Sequence, residues 1–163
     1  MKNYWYYDYP IGRVVIAEAD GHITYLFFVQ RYKNEDRTEK AIIGAEERET
    51  PLLKKAAKQL TEYFRGKRSE FDLPLVFEGT AFQKNVWAAL LAIPYGETRS
   101  YSEIAKQIGN PKGVRAVGMA NNRNPISIIC PCHRVVGSNG SLVGYAAGLE
   151  NKKYLLDLES GLK

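Results

Sequence analysis

At the centre of the second half of the chain stands Ile129-Cys130-Pro131-Cys132-His133-Arg134-Val135-Val136, which places a thiol next to an imidazole directly after a proline. Three apolar residues before the proline, Ile126, Ile128 and Ile129, predict a strand over residues 126–129. Pro131 has no backbone N–H and biases the residue before it toward extended geometry, so a bend is expected just before Cys132. Because a thiol attacks only as its thiolate, a cysteine beside an imidazole base is a candidate nucleophile.

Two alternatives to a nucleophile stay open for this stretch. A buried free cysteine packs as a small hydrophobe without any chemistry, and this interpretation applies most directly to Cys130 because its neighbours are apolar. Cys130, Cys132 and His133 are also candidate zinc ligands. Such a site needs a fourth ligand from distant His22 or from a carboxylate, and the Cys-x-Cys-His spacing departs from the usual Cys-x(2–4)-Cys.

Length and cysteine content restrict the class of protein. The chain has 163 residues, which suffices for one large domain or two small ones. Its two cysteines are separated by one residue and provide no disulfide framework. Neither a signal peptide nor an apolar run of membrane-spanning length occurs, so a cytoplasmic location is expected.

Positive charge is concentrated in the second half of the chain. The whole chain carries 23 Lys and Arg against 18 Asp and Glu. Residues 1–76 have 13 basic and 12 acidic side chains, whereas residues 77–163 have 10 and 6. Residues 99–134 have six basic side chains and one acidic one, Glu103. This concentration next to the thiol favours a polyanionic partner, and a solvated basic face is the alternative.

The first half predicts a small antiparallel sheet. Alternating apolar residues between turn signals indicate strands at Tyr4–Tyr9, Gly12–Ala17 and Ile23–Val29. Residues 31–50 are rich in charge and have no clear period, so a loop is expected there, with a short strand or turn near residues 41–43.

A helix follows the predicted loop. Thr50 provides its cap, Pro51 its first position, and Gly66 its end. Residues 71–77 contain Pro74 and predict an edge strand or an extended linker. We therefore expect two domains, residues 1–76 and residues 77–163.

The second half predicts a series of short helices. Capping boxes begin one helix at Thr80 and another at Ser100, and a further helix is expected to start at Asn110-Pro111. Two short helices joined by a turn, the second one basic, have the outline of a helix-turn-helix. A last helix is expected from Leu149 to about Glu159, and its buried residues are predicted to be Leu149, Leu155, Leu156 and Leu158.

A series of ordered motifs resembles the O6-alkylguanine-DNA alkyltransferases. The series covers residues 79–159 and consists of Gly79-Thr80-x-Phe82-Gln83-x-x-Val86-Trp87-x-x-Leu90-x-x-Ile93-Pro94-x-Gly96, Ser100-Tyr101 with Ile104-Ala105, Arg115-Ala116-Val117-Gly118-x-Ala120, Asn124-Pro125, Pro131-Cys132-His133-Arg134-Val135, and Gly144-Tyr145-x-x-Gly148-Leu149-x-x-Lys152-x-x-Leu155-Leu156-x-x-Glu159. The first half resembles the family only in length and in its order of strands and helix. Cys130 departs from the family, which usually has an aliphatic residue at this position.

The resemblance implies an α/β (α+β) fold. Its first domain is a small antiparallel sheet with a helix, ribonuclease H-like, and its second is mostly helical and winged helix-turn-helix-like. The implied activity is direct-reversal repair, in which an alkyl group moves irreversibly to Cys132 in a single turnover. The implied substrates are O6-alkylguanine and also O4-alkylthymine. The implied partner is double-stranded DNA, bound through the minor groove with the target base flipped out. No cofactor, metal or membrane is implied, and a monomer is expected.

The resemblance also implies catalytic roles. Cys132 is the acceptor, His133 takes its proton through water, and Glu159 orients and charge-stabilises His133. Asn124 braces the backbone of the site with its amide. Tyr101 contacts the phosphate on the 3′ side of the target and donates a proton to the leaving guanine.

Further residues match the family's DNA-binding and pocket positions. Arg115 is the finger that enters the duplex and fills the gap left by the base, and the other implied DNA contacts are Tyr101, Ser100, Lys112 and Arg123. The implied wall of the base pocket consists of Tyr145, Ala146, Ala147 and Gly148.

Two other functions compete with alkyl transfer. A non-catalytic protein that binds alkylated DNA would share the motifs, although such relatives lack the acceptor cysteine that Cys132 provides. A thiol enzyme or metal protein that uses Cys130, Cys132 and His133 without DNA is the alternative from a different class.

Overall fold

The computed structural model describes residues 1–29 and 35–161, which fall into two compact units, Met1–Phe77 and Glu78–Lys163. The first unit is a sheet with two helices and the second is mostly helical, as the α+β prediction expects. The predicted boundary lies one residue earlier, after residue 76. Every helix in the described residues is too short or too polar to cross a bilayer.

A four-stranded sheet forms the first unit. Its order is β3-β2-β1-β4, with β1 at Lys2–Tyr9, β2 at Gly12–Ala19, β3 at His22–Phe28 and β4 at Glu46–Glu47. The first three strands form the predicted antiparallel meander, and β4 pairs in parallel with β1. Asp20 and Gly21 join β2 to β3 with φ values of 51° and 78°, and two positive φ values are what a type I′ hairpin turn requires.

Both faces of this sheet are covered. Val15 and Ile16 are consecutive on β2 and both are fully buried. Because consecutive side chains of a strand point to opposite faces, each face must be packed against other residues. Two helices of the same unit contact β2, α1 at Glu35–Ile42 and α2 at Pro51–Phe64.

The helix α1 lies where the sequence predicts a loop, so that prediction was wrong for residues 35–42. The guanidinium of Arg37 lies 4.2 Å from the centre of the Phe27 ring, and the Thr38 hydroxyl lies 3.2 Å from that of Tyr25. A helix this short depends on packing for its stability, and packing on a sheet is invisible in a local pattern. Residues 31–34 of the predicted loop lie outside the described residues.

The helix α2 confirms its predicted cap. The Thr50 hydroxyl accepts a hydrogen bond from the backbone N–H of Leu53 at 3.3 Å, and Pro51 is the first helical residue. Gly66 follows the helix with a φ of 72°. Leu75 forms a parallel bridge with Ile23, so the segment predicted as an edge strand or linker joins the sheet at one point.

The second unit contains four helices among the described residues, together with a short parallel pair of strands. They are α3 at Ala81–Leu91, β5 at Arg99–Ser100, α4 at Tyr101–Gln107, α5 at Val114–Asn122, β6 at Val135–Val136 and α6 at Leu149–Ser160. Both predicted capping boxes are present, Thr80 with Gln83 and Ser100 with Glu103. The helices α4 and α5 pack on each other and form the predicted helix-turn-helix.

The start of α5 differs from the prediction. Asn110 and Pro111 were expected to begin the helix, but the backbone N–H of Gly113 donates to the Asn110 carbonyl at 2.9 Å and closes a turn. The helix therefore starts at Val114, and Lys112 lies in the turn.

The predicted strand at residues 126–129 is a turn. The N–H of Cys130 donates to the Ile126 carbonyl at 3.0 Å, and Ile128 has a φ of 70°, which β-branched residues rarely adopt. Three isoleucines of the segment are buried: Ile126, Ile128 and Ile129. A short apolar run shows that a segment is buried but does not by itself determine its backbone.

The last helix is also corrected at one position. Leu155 and Leu158 are buried as predicted, and Leu156 is half-buried, but Leu149 is 49% exposed. Leu149 is the first residue of α6, where the helix has not yet reached the core. Lys152, one turn further along, is fully buried.

Candidate active site

Two asparagines hold the backbone around the reactive thiol. Asn124 donates from Nδ2 to the Cys130 carbonyl at 2.8 Å and accepts from the N–H of Ile126 at 3.0 Å, so one amide closes the turn from both sides. Asn121, in the last turn of α5, donates from Nδ2 to the Cys132 carbonyl at 3.3 Å. The sequence predicted a bracing role for Asn124 only. No role was predicted for Asn121, because an amide in a helix gives no local sign of its partner.

The two cysteines occupy different surroundings. Cys132 begins a short 3₁₀ helix, Cys132–Arg134, and retains 4% of its surface exposed. Cys130 has none, and its sulfur lies 3.7 Å from the Trp87 carbonyl oxygen. Burial, with a contribution from Cys132, raises the pKa of the Cys130 thiol well above its ordinary value. Cys130 is therefore a neutral packing residue, and of the two cysteines only Cys132 keeps any exposed surface.

His133, Glu159 and Arg134 form a buried cluster. Nε2 of His133 lies 2.7 Å from Oε2 of Glu159. The guanidinium of Arg134 binds both carboxylate oxygens, at 2.7 and 3.0 Å, and donates to the Ile93 carbonyl at 2.7 Å. The predicted pairing of His133 with Glu159 is thus present, and Arg134 is a third member that the sequence did not indicate.

The protonation of this cluster follows from burial and charge. Burial lowers the pKa of His133, although Glu159 opposes the shift. Burial favours protonation of Glu159, but hydrogen bonds and charges from His133 and Arg134 outweigh it and hold the pKa of the carboxyl well below its usual range. At neutral pH the carboxylate is charged and the imidazole is neutral.

The tautomer of His133 follows from the same contacts. A charged carboxylate only accepts hydrogen bonds, so Nε2 carries the proton and Nδ1 carries the lone pair. Nδ1 is buried and has no hydrogen-bond partner among the described residues. A neutral imidazole with its basic nitrogen unengaged, one residue from the thiol, can take a proton directly or through water.

A buried lysine, Lys152, interacts electrostatically with the thiol of Cys132. Lys152 is 0% exposed, and its ammonium donates to the carbonyls of Val135 and Val143, at 2.5 and 2.7 Å. Burial lowers the pKa of Lys152 to about 8, while the neighbouring Cys132 acts in the opposite direction. A positive charge beside a thiol stabilises the thiolate.

The position of Lys152 in the sequence is itself a sign that its side chain is buried, although no role was predicted for it. Lys152 precedes Leu155 and Leu156 by three and four residues and Glu159 by seven, which places all four on one face of a helix. A lysine on the apolar face of a helix is a candidate for a buried charge.

Tyr101 connects the helix-turn-helix to the predicted pocket wall. Its hydroxyl donates to the carbonyls of Val143 and Gly144, at 2.9 and 3.1 Å. Burial and the charge of Cys132 raise the pKa of Tyr101 to about 12, although Asn121 acts in the opposite direction. The phenol is therefore a neutral donor at physiological pH. A Cβ atom at position 144 would lie 3.3 Å from the Tyr101 hydroxyl. Gly144 also has a φ of 56°, which residues with a side chain rarely adopt, so glycine is required there.

The residues predicted to form the pocket wall come directly after Gly144 in the chain. Tyr145 and Ala147 are buried, Ala146 is half-buried and Gly148 is exposed immediately before α6. The N–H of Gly148 donates to the Tyr145 carbonyl at 3.0 Å, which closes the loop.

The predicted DNA-binding residues are placed in two groups. Lys112, Arg115 and Arg123 are exposed along and around α5, as phosphate or duplex contacts require. Ser100 is buried, and its hydroxyl accepts from the N–H of Glu103 as the cap of α4. Met119, one turn after Arg115, is 58% exposed, so the outer face of α5 is partly apolar.

Both cysteines are free thiols. Within residues 1–29 and 35–161, no three His, Cys, Asp or Glu side chains are grouped closely enough to hold a metal ion.

A helix-turn-helix unit that carries a nearly buried cysteine beside a histidine–carboxylate pair defines a thiol protein with a basic binding face. Comparisons with known proteins narrow this class. The family described as "6-O-methylguanine DNA methyltransferase, DNA binding domain" matches residues 81–161, and "6-O-methylguanine DNA methyltransferase, ribonuclease-like domain" matches residues 2–77. The chain belongs to the 6-O-methylguanine DNA methyltransferase family.

Similar proteins cover nearly the whole chain. The methylated-DNA--protein-cysteine methyltransferase of Methanosarcina acetivorans is 51% identical over 96% of this chain and 97% of its own. The constitutive enzyme of the same name from Bacillus subtilis is 48% identical over 98% and 96%. The crystal structure of Mycobacterium tuberculosis O6-methylguanine methyltransferase has a TM-score of 0.87 at 45% identity, over 100% of this chain and 95% of that one. A structure of the M. tuberculosis protein in complex with DNA has a TM-score of 0.86 at 44% identity, over 98% and 94%.

Proposed function

We propose that this protein repairs alkylated DNA by moving the alkyl group from O6 of guanine to the sulfur of Cys132, once per molecule and without a cofactor. The observation that carries the proposal is the buried His133–Glu159 hydrogen bond of 2.7 Å next to the nearly buried thiol. Membership of the methyltransferase family and relatives named methylated-DNA--protein-cysteine methyltransferase support the same activity.

In the proposed reaction, protons and electron pairs move only between Cys132, His133, Tyr101 and the alkylated base. His133 receives the thiol proton at Nδ1, directly or through water, and the thiolate attacks the alkyl carbon. The new S–C bond forms as the C–O6 bond breaks, and the electron pair stays on the base. Tyr101 donates its proton to the base, and the proton held by His133 restores the phenol. The products are S-alkylcysteine and intact guanine.

Charge around Cys132 favours this sequence of steps. Lys152 stabilises the thiolate, and ionised Glu159 stabilises the imidazolium of His133 after proton transfer. Arg134 keeps Glu159 ionised during the reaction because it binds both carboxylate oxygens.

DNA is expected to bind at the exposed face of α5. Lys112, Arg115 and Arg123 supply positive charge there, and a relative of 44% identity has been solved in complex with DNA. Because O6 inside a stacked duplex is out of reach of a thiol, the target base must leave the stack, and Arg115 fills its place. Binding through phosphates and groove shape suits a protein whose lesions occur in any sequence.

The proposal also covers a second substrate, the cellular location and the oligomeric state. O4-alkylthymine carries its alkyl group on an equivalent exocyclic oxygen, so we include it as a second substrate. The free thiol must stay reduced, which is expected of the cytoplasm. A monomer suffices, because all proposed groups lie on one chain.

Intact-mass measurement after mixing with O6-methylguanine duplex tests the proposal. The wild-type protein should gain the mass of one CH₂ group, located on Cys132 by peptide mapping. Cys132→Ser should gain nothing, whereas the matched variant Cys130→Ser should still be methylated, because Cys130 is a packing residue. Lesion binding without any mass gain in the wild type would instead indicate a non-catalytic binding protein.

A further inference from the structure

Asn121 is a buried amide at the centre of the active site. Only 2% of its surface is exposed, and it lies in the last turn of the DNA-facing helix α5. Nδ2 donates to the carbonyl of Cys132 at 3.3 Å, and the side chain interacts with the hydroxyl of Tyr101, whose pKa it lowers. One side chain thus lies close to both the residue that accepts the alkyl group and the residue that protonates the base.

The orientation of this amide is fixed by its neighbours. A carbonyl oxygen only accepts hydrogen bonds, so Nδ2 and not Oδ1 must face Cys132. The Tyr101 proton is engaged by Val143 and Gly144, so the Tyr101 hydroxyl can interact with Nδ2 only as an acceptor. Nδ2 is therefore turned toward these protein groups, and Oδ1 is left as an acceptor.

No described residue donates to Oδ1, although the atom is buried. A buried acceptor without a donor is unfavourable, and such groups are rare unless a ligand or ordered water supplies the donor. The ammonium of Lys152, which lies 5.8 Å from the centre of the Tyr101 ring, is engaged by two carbonyls. Because the nitrogen and oxygen of an amide are roughly 2.2 Å apart, Oδ1 lies within about 5.5 Å of the Cys132 carbonyl oxygen.

The substrate offers one matching donor. In O6-alkylguanine N1, N3 and N7 are acceptors and O6 carries the alkyl group, so the 2-amino group holds the only N–H bonds of the base. We propose that Asn121 Oδ1 accepts a hydrogen bond from the 2-amino group of the everted O6-alkylguanine, which makes Asn121 a specificity-determining residue. This inference rests on the proposed function. O4-alkylthymine has no N–H donor and gains nothing from the contact.

Paired substrates test the contact directly. Single-turnover transfer rates are measured on two duplexes that differ only in the 2-amino group, one with O6-methylguanine and one with O6-methylhypoxanthine. The wild-type protein should react about 10-fold faster with the guanine duplex, since one hydrogen bond distinguishes the two. Equal rates in the wild type would overturn the inference without any variant.

Two variants separate recognition from positioning. Asn121→Leu removes both donor and acceptor, so it should lower the guanine rate and reduce the ratio of rates to about one. Asn121→Asp keeps an acceptor but loses the donor to Cys132, so both rates should fall while the guanine preference remains. Asn85→Leu, an exposed change on α3, should leave rates and ratio unaltered.

The ratio makes the test independent of a general loss of activity. A guanine preference that persists in Asn121→Leu would show that another group recognises the 2-amino group and would refute the inference alone. Absence of transfer to either duplex by the wild-type protein would refute the proposed function, and the inference with it.

Discussion

Nε2 of His133 and Oε2 of Glu159 are 2.7 Å apart, and both side chains are buried. This contact determines which imidazole nitrogen can act as a base. The carboxylate accepts the Nε2 proton, and the lone pair is consequently on Nδ1. The carboxylate has the same two roles as in the carboxylate–histidine pairs of hydrolases. It fixes the tautomer of the histidine, and it stabilises the imidazolium without being protonated.

Glu159→Gln is expected to slow alkyl transfer by about 100-fold, the usual contribution of a positioned base. A glutamine can donate its amide N–H to Nε2 and thereby favour the tautomer in which Nδ1 is protonated and cannot accept the thiol proton. Single-turnover rates on O6-methylguanine duplex measure the effect. DNA affinity, followed by fluorescence anisotropy, should stay nearly unchanged because Glu159 is buried.

Asp157→Asn on the same helix is the matched control, since Asp157 pairs with Lys153 at the surface. It should transfer the alkyl group at the wild-type rate. An unchanged rate in Glu159→Gln would remove Glu159 from the mechanism.

The free energy of unfolding is expected to fall as the pH is lowered, in two steps. Burial lowers the pKa of His133, so below about pH 6.5 the unfolded chain binds a proton that the folded protein excludes. The pKa of Glu159 is also depressed in the folded state, so its contribution is present above about pH 4.5 and is lost below it. Urea denaturation at a series of pH values between about 7.5 and 3 measures both steps.

His133→Gln provides the comparison for the first step. Glutamine does not titrate, so the slope of stability against pH between 7.5 and 5.5 should become smaller than in the wild type. The slope is informative even if the variant is less stable overall. An identical slope in both proteins would show that His133 titrates normally in the folded state.

The parts of this fold that the sequence predicted are those with local signals. The capping boxes at Thr80 and Ser100 use side chains that bind the backbone three residues away, so spacing alone identifies them. The helix α1 was missed because its support comes from Tyr25 and Phe27, which lie on a strand earlier in the chain.

In the candidate site, too, contacts between residues that are distant in the sequence could not be predicted from local patterns. The pairing of His133 with Glu159 was predicted only through resemblance to a family, because 25 residues separate them and no spacing rule joins them. Arg134 and Asn121 were not predicted as active-site contacts, since their partners are brought close by folding. A side chain's hydrogen-bond partner at long range is a property of packing and not of local pattern.

Lys152→Met is expected to lower the reactivity of Cys132 at neutral pH by about 10-fold or more. Methionine fills much of the same volume but removes the buried positive charge that stabilises the thiolate. The rate of alkylation by iodoacetamide is measured against pH, with peptide mapping to assign the modified cysteine. The profile of the variant should move to higher pH.

Lys153→Met is the matched control, because Lys153 is the next residue and lies exposed beside Asp157. Its profile should coincide with that of the wild type. Coincidence of the Lys152→Met profile as well would show that the ammonium only tethers the carbonyls of Val135 and Val143.

Arg115→Ala is expected to weaken repair of duplex DNA by at least about 10-fold while reaction with free O6-benzylguanine changes little. Only the duplex contains a gap that must be filled when the base leaves the stack, and unstacking costs a few kcal/mol. Arg65→Ala removes the same charge from an exposed position in the first unit and is the matched control, so any difference between the two variants is local to α5. Single-turnover rates on both substrates give the ratio that decides the role. Equal losses on duplex and free base would contradict a finger and would place Arg115 among the residues that maintain the pocket, whereas a duplex-specific loss in both arginine variants would indicate a general effect of net charge.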